Sequence, residues 1–317
     1  MTLTRREFLT VAAAAPALVA DAAEPTPIID THTHFYDPTR PEGVPWPGKD
    51  DKLLYRPVLP GEFKKLVKPH GVTGTVVVEA SPWPKDNDWL LALAKDEPFI
   101  KGIVGRLVIG QDDRADSADL FPKELEFYAK NPLFRGIRIA GADLAKGFDV
   151  FGIRGHLKLF IDAGLTLEIN GSPEMLPDVA KLAKEFPKLA IVVNHMANVA
   201  IDGKEPPKDW QRDIAAVGKF VNVYCKMSAL VEGTRKRDGT ASKDIAFYRP
   251  TLDVLWNAFG EDRLVYGSNW PVSDAFASYA TVIGLVNEYL ASKGKSAVSK
   301  VMGGNATRVY GLDRTGR

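Results

Sequence analysis

The sequence predicts an α/β chain folded as a closed (β/α)8 barrel, the TIM-barrel architecture. Three observations lead there. Eight short β-like runs alternate with amphipathic helical stretches, which implies a parallel sheet, and eight such units in one domain imply closure. The chain has 317 residues, enough for a barrel of about 250. The first β-like run leads into Asp30-Thr31-His32-Thr33-His34. An open doubly wound sheet, the alternative architecture, would place a glycine-rich phosphate loop there.

Taken in order, strands are expected at residues 28–31, 73–79, 100–108, 134–139, 165–170, 189–195, 221–228 and 263–269. The second shows the pattern most plainly: TGTVVVE is β-branched and bounded by Gly71 and Pro82. Helices are expected at 89–95, 121–130, 175–186, 210–220, 245–259 and 279–292, where apolar residues recur at helical spacing. Pro173, Pro206 and Pro207 precede helices, where proline is tolerated. Residues 36–60 are rich in proline, tryptophan and charge and lack periodicity, so they are expected to form a loop over the barrel mouth.

Composition sets the class. Hydrophobic residues make up 45% and charged residues 26%, an ordinary globular balance that excludes a largely disordered chain. Lys and Arg total 41 against 40 acidic residues, a net charge of +1. This carries no global electrostatic footprint for nucleic acid or an anionic membrane, and leaves a small molecule as the expected partner. Cys225 is the single cysteine, so the chain has no internal disulfide and no cysteine-rich zinc site.

Residues 1–22 read as an export signal. Arg5-Arg6 precede an apolar run over 8–20, and Ala20-Asp21-Ala22 supplies small residues for cleavage. The run is too short to span a bilayer, which takes about 20 residues, and Pro16 makes it a poor core helix. The paired arginines resemble the twin-arginine type. The expectation is an exported, periplasmic single domain over 23–317 with no integral membrane segment.

Active sites of such barrels lie at the C-terminal strand ends, so the strand assignment becomes a site prediction. The ends offer His32 and His34, Glu79, Arg106, Arg138, Glu168 or Asn170, His195, Lys226 and Ser228, and Asn269. Residues two apart on a strand share a face, so His32 and His34 point together, as do Lys226 and Ser228. Two imidazoles on one face suit a divalent metal ion or a substrate oxygen. Trp46, Trp83 and Trp270 are candidate pocket walls. Arg138 alternatively pairs with Glu168. The basic run Arg235-Lys236-Arg237 is either a solvated loop or a reach over the mouth toward an anionic substrate.

In this order the chain resembles the amidohydrolase superfamily, specifically its amidohydrolase-2 branch and the sugar-acid lactonases within it. The carrying segments are Ile28-Ile29-Asp30-Thr31-His32-Thr33-His34, Phe134-Arg135-Gly136-Ile137-Arg138, Asn194-His195-Met196, Cys225-Lys226-Met227-Ser228, Tyr266-Gly267-Ser268-Asn269-Trp270-Pro271 and Gly304-Asn305-Ala306-Thr307-Arg308-Val309-Tyr310. The resemblance implies a barrel of the metal-dependent-hydrolase type that opens a lactone by water attack. It assigns His195 or Glu79 as base, Lys226 and Arg138 to the oxyanion, and Arg106 to a substrate carboxylate. Ser228, Trp83 and Trp270 join the substrate contacts. One divalent ion, zinc foremost, would sit on His32 and His34 with Glu79 or His195; a metal-free site using Arg106, Arg138 and Lys226 is the alternative. The chain departs from the pattern at Asn269, where relatives usually carry Asp: an amide takes no proton at neutral pH and is a weaker metal ligand. An amidohydrolase or decarboxylase on the same scaffold, and a non-catalytic ligand-binding barrel, are the other readings.

Overall fold

The computed structural model describes residues 27–108, 117–145 and 153–314; the expected export signal lies outside them. Eight strands form one sheet in sequence order, every neighbouring pair parallel. The chain runs β1 (Ile28–Thr33), α1 (Pro60–Val67), β2 (Val72–Val78), α2 (Asp86–Lys95), β3 (Ile100–Gly105), α3 (Ser117–Tyr128) and β4 (Phe134–Ala140). It continues through α4 (Gly141–Ala145), α5 (Ile153–Asp162), β5 (Thr166–Asn170), α6 (Leu176–Glu185), β6 (Ala190–Val193), α7 (Lys208–Val217) and β7 (Val223–Met227). The last elements are α8 (Ile245–Phe259), β8 (Leu264–Tyr266), α9 (Tyr279–Ala291), α10 (Lys295–Ser299) and α11 (Asn305–Tyr310).

The expected (β/α)8 barrel is the fold. Its strands are buried on both faces, as parallel strands under a helical layer must be. Among the described residues no helix is long and apolar enough to cross a membrane.

The barrel closes where β8 returns to β1. Thr33 and Trp270 form an isolated parallel bridge, Asn269 N donates to His32 O at 2.9 Å, and His34 N donates to Trp270 O at 2.9 Å. Asp30 holds the two ends together: its Oδ1 accepts from His32 N (3.1 Å) and Ser268 N (2.9 Å), and its Oδ2 from Tyr279 Oη (3.2 Å). The approach is close enough that a Cβ on Gly267 would lie 2.8 Å from the His32 Cβ.

The floor of the barrel is apolar. Val76, Val78, Val104, Val192 and Val265 point inward and meet Val309 and Tyr310 of α11. Thr166, the first residue of β5, donates from Oγ1 to Val309 O at 2.8 Å, which places α11 across the N-terminal end and leaves the C-terminal end open. The π-helical turn before α11 presses on the start of β1: a Cβ on Gly303 would sit 1.7 Å from Pro27 O.

Three strands stop two or three residues sooner than expected: β3 at Gly105, β6 at Val193 and β8 at Tyr266. After β3 the Asn87 side chain takes over the backbone bonds of Arg106; after β6 and β8 the chain turns left-handed, at His195 and at Asn269 respectively. Helices α1, α4, α5, α10 and α11 lie outside the expected set; most are short and owe their form to packing rather than to a long periodic face. Residues 34–59 do cover the mouth, tied by an antiparallel bridge between Tyr36 and Val58.

Candidate active site

A cavity of about 570 Å³ opens at the C-terminal strand ends. His34, Arg138, Asn170, His195 and Asn269 wall it, with Trp46 from the covering loop. Glu232, Arg235 and Arg237, from the connection between β7 and α8, complete the rim.

Backbone strain shapes this wall. His195, Met196, Ala197 and Asn198 are all left-handed, with φ between 50° and 58°. Such a conformation costs about 1–2 kcal/mol per non-glycine residue, so neighbours must hold it. Trp210 Nε1 donates to Met196 O at 2.9 Å and Arg235 Nη2 to Asn198 O at 2.8 Å. Asn198 Nδ2 donates to Asn170 Oδ1 and Gly171 O, both at 3.0 Å. Ala229 (φ 53°) and Asn269 (φ 62°) repeat the device beyond β7 and β8, so three successive strand ends turn their side chains back over the barrel. Asn tolerates this region better than most residues.

One layer below the cavity lies a buried ionic strut. Lys226 and Glu168 are both fully buried and paired at 2.7 Å. The ammonium also donates to Thr31 O (2.7 Å) and His32 Nδ1 (3.1 Å), and Tyr310 Oη donates to Glu168 Oε1 at 2.6 Å. All three Lys226 protons are thereby engaged, joining β1, β5 and β7. Burial lowers the Lys226 ammonium to about 8, against the opposing pull of Glu168.

The three imidazoles are clustered and neutral. Ring centroids lie 5.0 Å apart for His32 and His34 and 4.3 Å for His32 and His195. Burial drives all three down, His34 to about 3, reinforced by the Arg138 charge at His34 and the Lys226 charge at the other two. His195 Nδ1 meets Ser228 Oγ at 2.7 Å. His34 Nδ1 lies 3.0 Å from Val78 O; a carbonyl only accepts, so Nδ1 carries the proton and Nε2 the lone pair. That lone pair faces the Asn269 side chain, whose Oδ1 is 3.3 Å away, while Asn269 Nδ2 donates to Glu232 Oε1 at 2.8 Å. Burial lifts Glu232 to about 7.

Arg138 pairs with Glu79, not with Glu168: Nε donates to Glu79 Oε1 at 3.0 Å and Nη2 to Glu79 O at 2.7 Å. Burial raises the Glu79 carboxyl, and the guanidinium partly offsets this.

The structure therefore brings His34, His195, Asn269 and Arg138 to one surface. It sets His32, Ser228, Glu79 and Lys226 behind that surface, as supports. It does not bring Arg106, Trp83 or Trp270 to the cavity. Arg106 does not line the cavity, though its charge acts on Glu79 behind the wall; Trp83 stands on the outer surface, and Trp270 is buried against Phe63. The rim carboxylate Glu232 and the amide Asn198 are absent from the sequence-based ring. Glu232 does stand alone in the apolar run Ala229-Leu230-Val231, a signal that would have marked it.

A divalent ion on His32 and His34 requires lone pairs aimed at one point. His32 has none to give: Nδ1 accepts from Lys226, so the neutral ring keeps its proton on Nε2, which is buried without a partner. Asn269 supplies a neutral amide already bound to Glu232. Among the described residues no three His, Cys, Asp or Glu side chains gather to hold a metal. The donor set does not fit the ion expected from the sequence.

Comparison with known proteins places this geometry. The amidohydrolase family model matches residues 29–312. The L-fucono-1,5-lactonase of Burkholderia ambifaria is 28% identical over 292 residues, covering 90% of this chain and 96% of its own. That of Burkholderia multivorans is 28% identical over 299 residues, with the same coverage. A crystal structure of a Burkholderia multivorans amidohydrolase with bound zinc superposes with a TM-score of 0.77 at 27% identity, covering 90% of this chain and 99% of the other.

Proposed function

Because the chain belongs to the amidohydrolase family, we propose that it is a hydrolase that opens the lactone ring of a sugar acid by water attack in the cavity at the barrel mouth. The observation that carries this reading is the match, over nine-tenths of the chain, to two L-fucono-1,5-lactonases. The cavity is polar in the way a hydroxylated ring requires. Asn170, Asn198 and Arg235 offer donors and acceptors along one rim, and Trp46 offers a flat apolar face against the ring.

The chemistry follows from the fixed groups. Arg138, held by Glu79, presents its positive charge to the oxygen that turns anionic when water adds to the lactone carbonyl. His195 and His34, neutral at pH 7, orient the attacking water by hydrogen bonds. Lys226 supports from below, fixing His32 and the strand ends. No step is assigned to a metal, since the donor set does not fit one. The two relatives named as lactonases, each 28% identical, support lactones over amides or decarboxylation.

The test is acid release, followed with a pH indicator, on a panel holding L-fucono-1,5-lactone, other sugar-acid lactones, sugar amides and aromatic carboxylic acids. Turnover confined to lactones is expected. Turnover of amides or loss of carbon dioxide from the acids would overturn the reading. Melting-temperature shifts with lactones but no turnover would favour a binding barrel instead. Residues 1–22 are proposed to direct export to the periplasm; replacing Arg5 and Arg6 by Lys should then retain the protein in the cytoplasm.

A further inference from the structure

In the mechanism above the charge on Arg235 has no task. It belongs to the basic run Arg235-Lys236-Arg237, which the structure divides. Arg235 and Arg237 line the cavity, and Lys236 does not. Arg237 is spent on the covering loop, where its guanidinium pairs with Asp51. Arg138, the third guanidinium on the wall, is paired with Glu79 at 3.0 Å. Arg235 donates from Nη2 to Asn198 O at 2.8 Å, and among the described residues no carboxylate pairs with it. A guanidinium carries five N–H donors, so most of this fork is still free. Glu232 is the one carboxylate on the described wall. It does not answer Arg235: its Oε1 accepts from Asn269 Nδ2, and its Oε2 is shut away from water.

The backbone fixes where that charge stands. Arg235 closes the single helical turn Glu232–Thr234 in the left-handed region, at φ 61°, which disfavours a residue with a Cβ. Its N donates to Glu232 O at 3.0 Å. The turn is docked beyond β6: Ile201 N donates to Gly233 O at 2.8 Å, and a Cβ on Gly233 would lie 2.8 Å from Ile201 Cδ1. Asn198, which receives the guanidinium, is itself tied to Asn170 and Gly171. The chain thus holds an arginine where glycine or asparagine would sit more easily, and clamps its head beside two amides of the cavity. Strain held in this way clusters at ligand sites.

We propose that the substrate is a lactone that itself carries a carboxylate, the monolactone of a sugar diacid, and that Arg235 is the residue that selects it. The proposal rests on the lactone reading above. A carboxylate accepts two parallel N–H bonds from a guanidinium, and a fork already positioned loses little freedom in making them. The lactone carbonyl faces Arg138 and the free carboxylate faces Arg235, with Trp46 against the ring and Asn170 and Asn198 at its hydroxyls. The charge at Arg235 is permanent and sets which lactone enters; the charge at Arg138 forms only as water adds. The free carboxylate takes no part in the bond changes. The water oxygen bonds to the carbonyl carbon, and the bond from that carbon to the ring oxygen breaks. One water proton ends on the ring oxygen, the other leaves as the new carboxyl ionises, and the product is an open-chain sugar dicarboxylate.

The experiment follows acid release on matched pairs: the γ-lactones of gluconic and galactonic acid against the monolactones of glucaric and galactaric acid. Within a pair a carboxylate replaces a terminal hydroxymethyl group. Wild type should show kcat/KM about 10-fold to 100-fold higher for the diacid monolactone, the worth of a charge-assisted hydrogen bond. Added salt should narrow this ratio, since Arg235 is exposed. Arg235→Gln should bring the ratio to about one, and Arg235→Lys should restore part of it, returning the charge without the fork. The ratio is read within one protein, so general structural damage lowers both rates and leaves it unmoved. A wild type that opens neutral lactones, L-fucono-1,5-lactone among them, as fast as the diacid monolactones overturns the proposal and leaves the lactone reading standing. An Arg235→Gln variant that keeps the wild-type ratio does the same; a wild type that opens no lactone overturns both. Should Arg235→Gln fail to fold, inhibition of the wild type decides: glucarate binding about tenfold or more tightly than gluconate supports the proposal, and equal binding overturns it.

Discussion

Replacing Lys226 by Met tests the buried strut. The side chains are similar in length, so the change removes a charge and three donors without opening a large cavity. Glu168, fully buried, is left with Tyr310 as its remaining side-chain donor at 2.6 Å. Thr31 O and His32 Nδ1 lose the ammonium as well. Breaking a buried pair from one side costs about 3–5 kcal/mol, because the surviving charge is uncompensated. At about 2 °C per kcal/mol for a domain of this size, the melting temperature should fall by about 6–10 °C. Adding Glu168→Gln should recover much of the loss, giving a coupling of about 1–3 kcal/mol in the double-mutant cycle. Thermal unfolding of the four proteins measures all of this. A single variant that melts with wild type, or a strictly additive double variant, would refute the argument that the pair acts as a unit.

Other outcomes follow from the same structure. Glu232 is lifted by burial from its ordinary carboxyl range to about 7, so its folded form holds a proton that the unfolded chain has lost between pH 4.5 and 7. Stability from this group is complete below pH 4.5 and declines as pH rises through that window; Glu232→Gln should flatten the decline by up to about 3 kcal/mol in chemical denaturation across pH. Tyr310→Phe removes the hydroxyl from Glu168 and should cost about 1.5–3 kcal/mol, read from urea midpoints. Asn198→Ala removes both bonds that tie the left-handed turn to β5. It should lower stability by about 1–2 kcal/mol and raise KM, because the cavity also loses its amide.

The barrel was legible because alternation of β-like and helical runs survives in the sequence almost without interruption. The wall residues His34, Arg138, His195 and Asn269 were legible because each is a polar residue closing an apolar run. Depth was not. Lys226 and Glu168 share inward faces with Ser228 and Asn170, yet two residues of strand place them about 6–7 Å lower. That distance separates a cavity wall from a sealed strut. Trp270 follows Asn269 and so faces the opposite way, into the aromatic layer with Phe63. Glu232 lies in the connection beyond β7, where no strand periodicity reports direction. The four left-handed residues from His195 to Asn198 contain no glycine, so nothing local announces the turn.

The central claim is that this chain opens sugar-acid lactones with its own polar groups. The most direct test is hydrolysis of L-fucono-1,5-lactone by protein stripped with a chelator and checked for residual metal, against the same protein supplied with zinc. Equal kcat/KM in both samples is the expected result. Activity lost on stripping and restored by zinc would contradict it, and would show that His34, His195 and their neighbours rearrange around an ion.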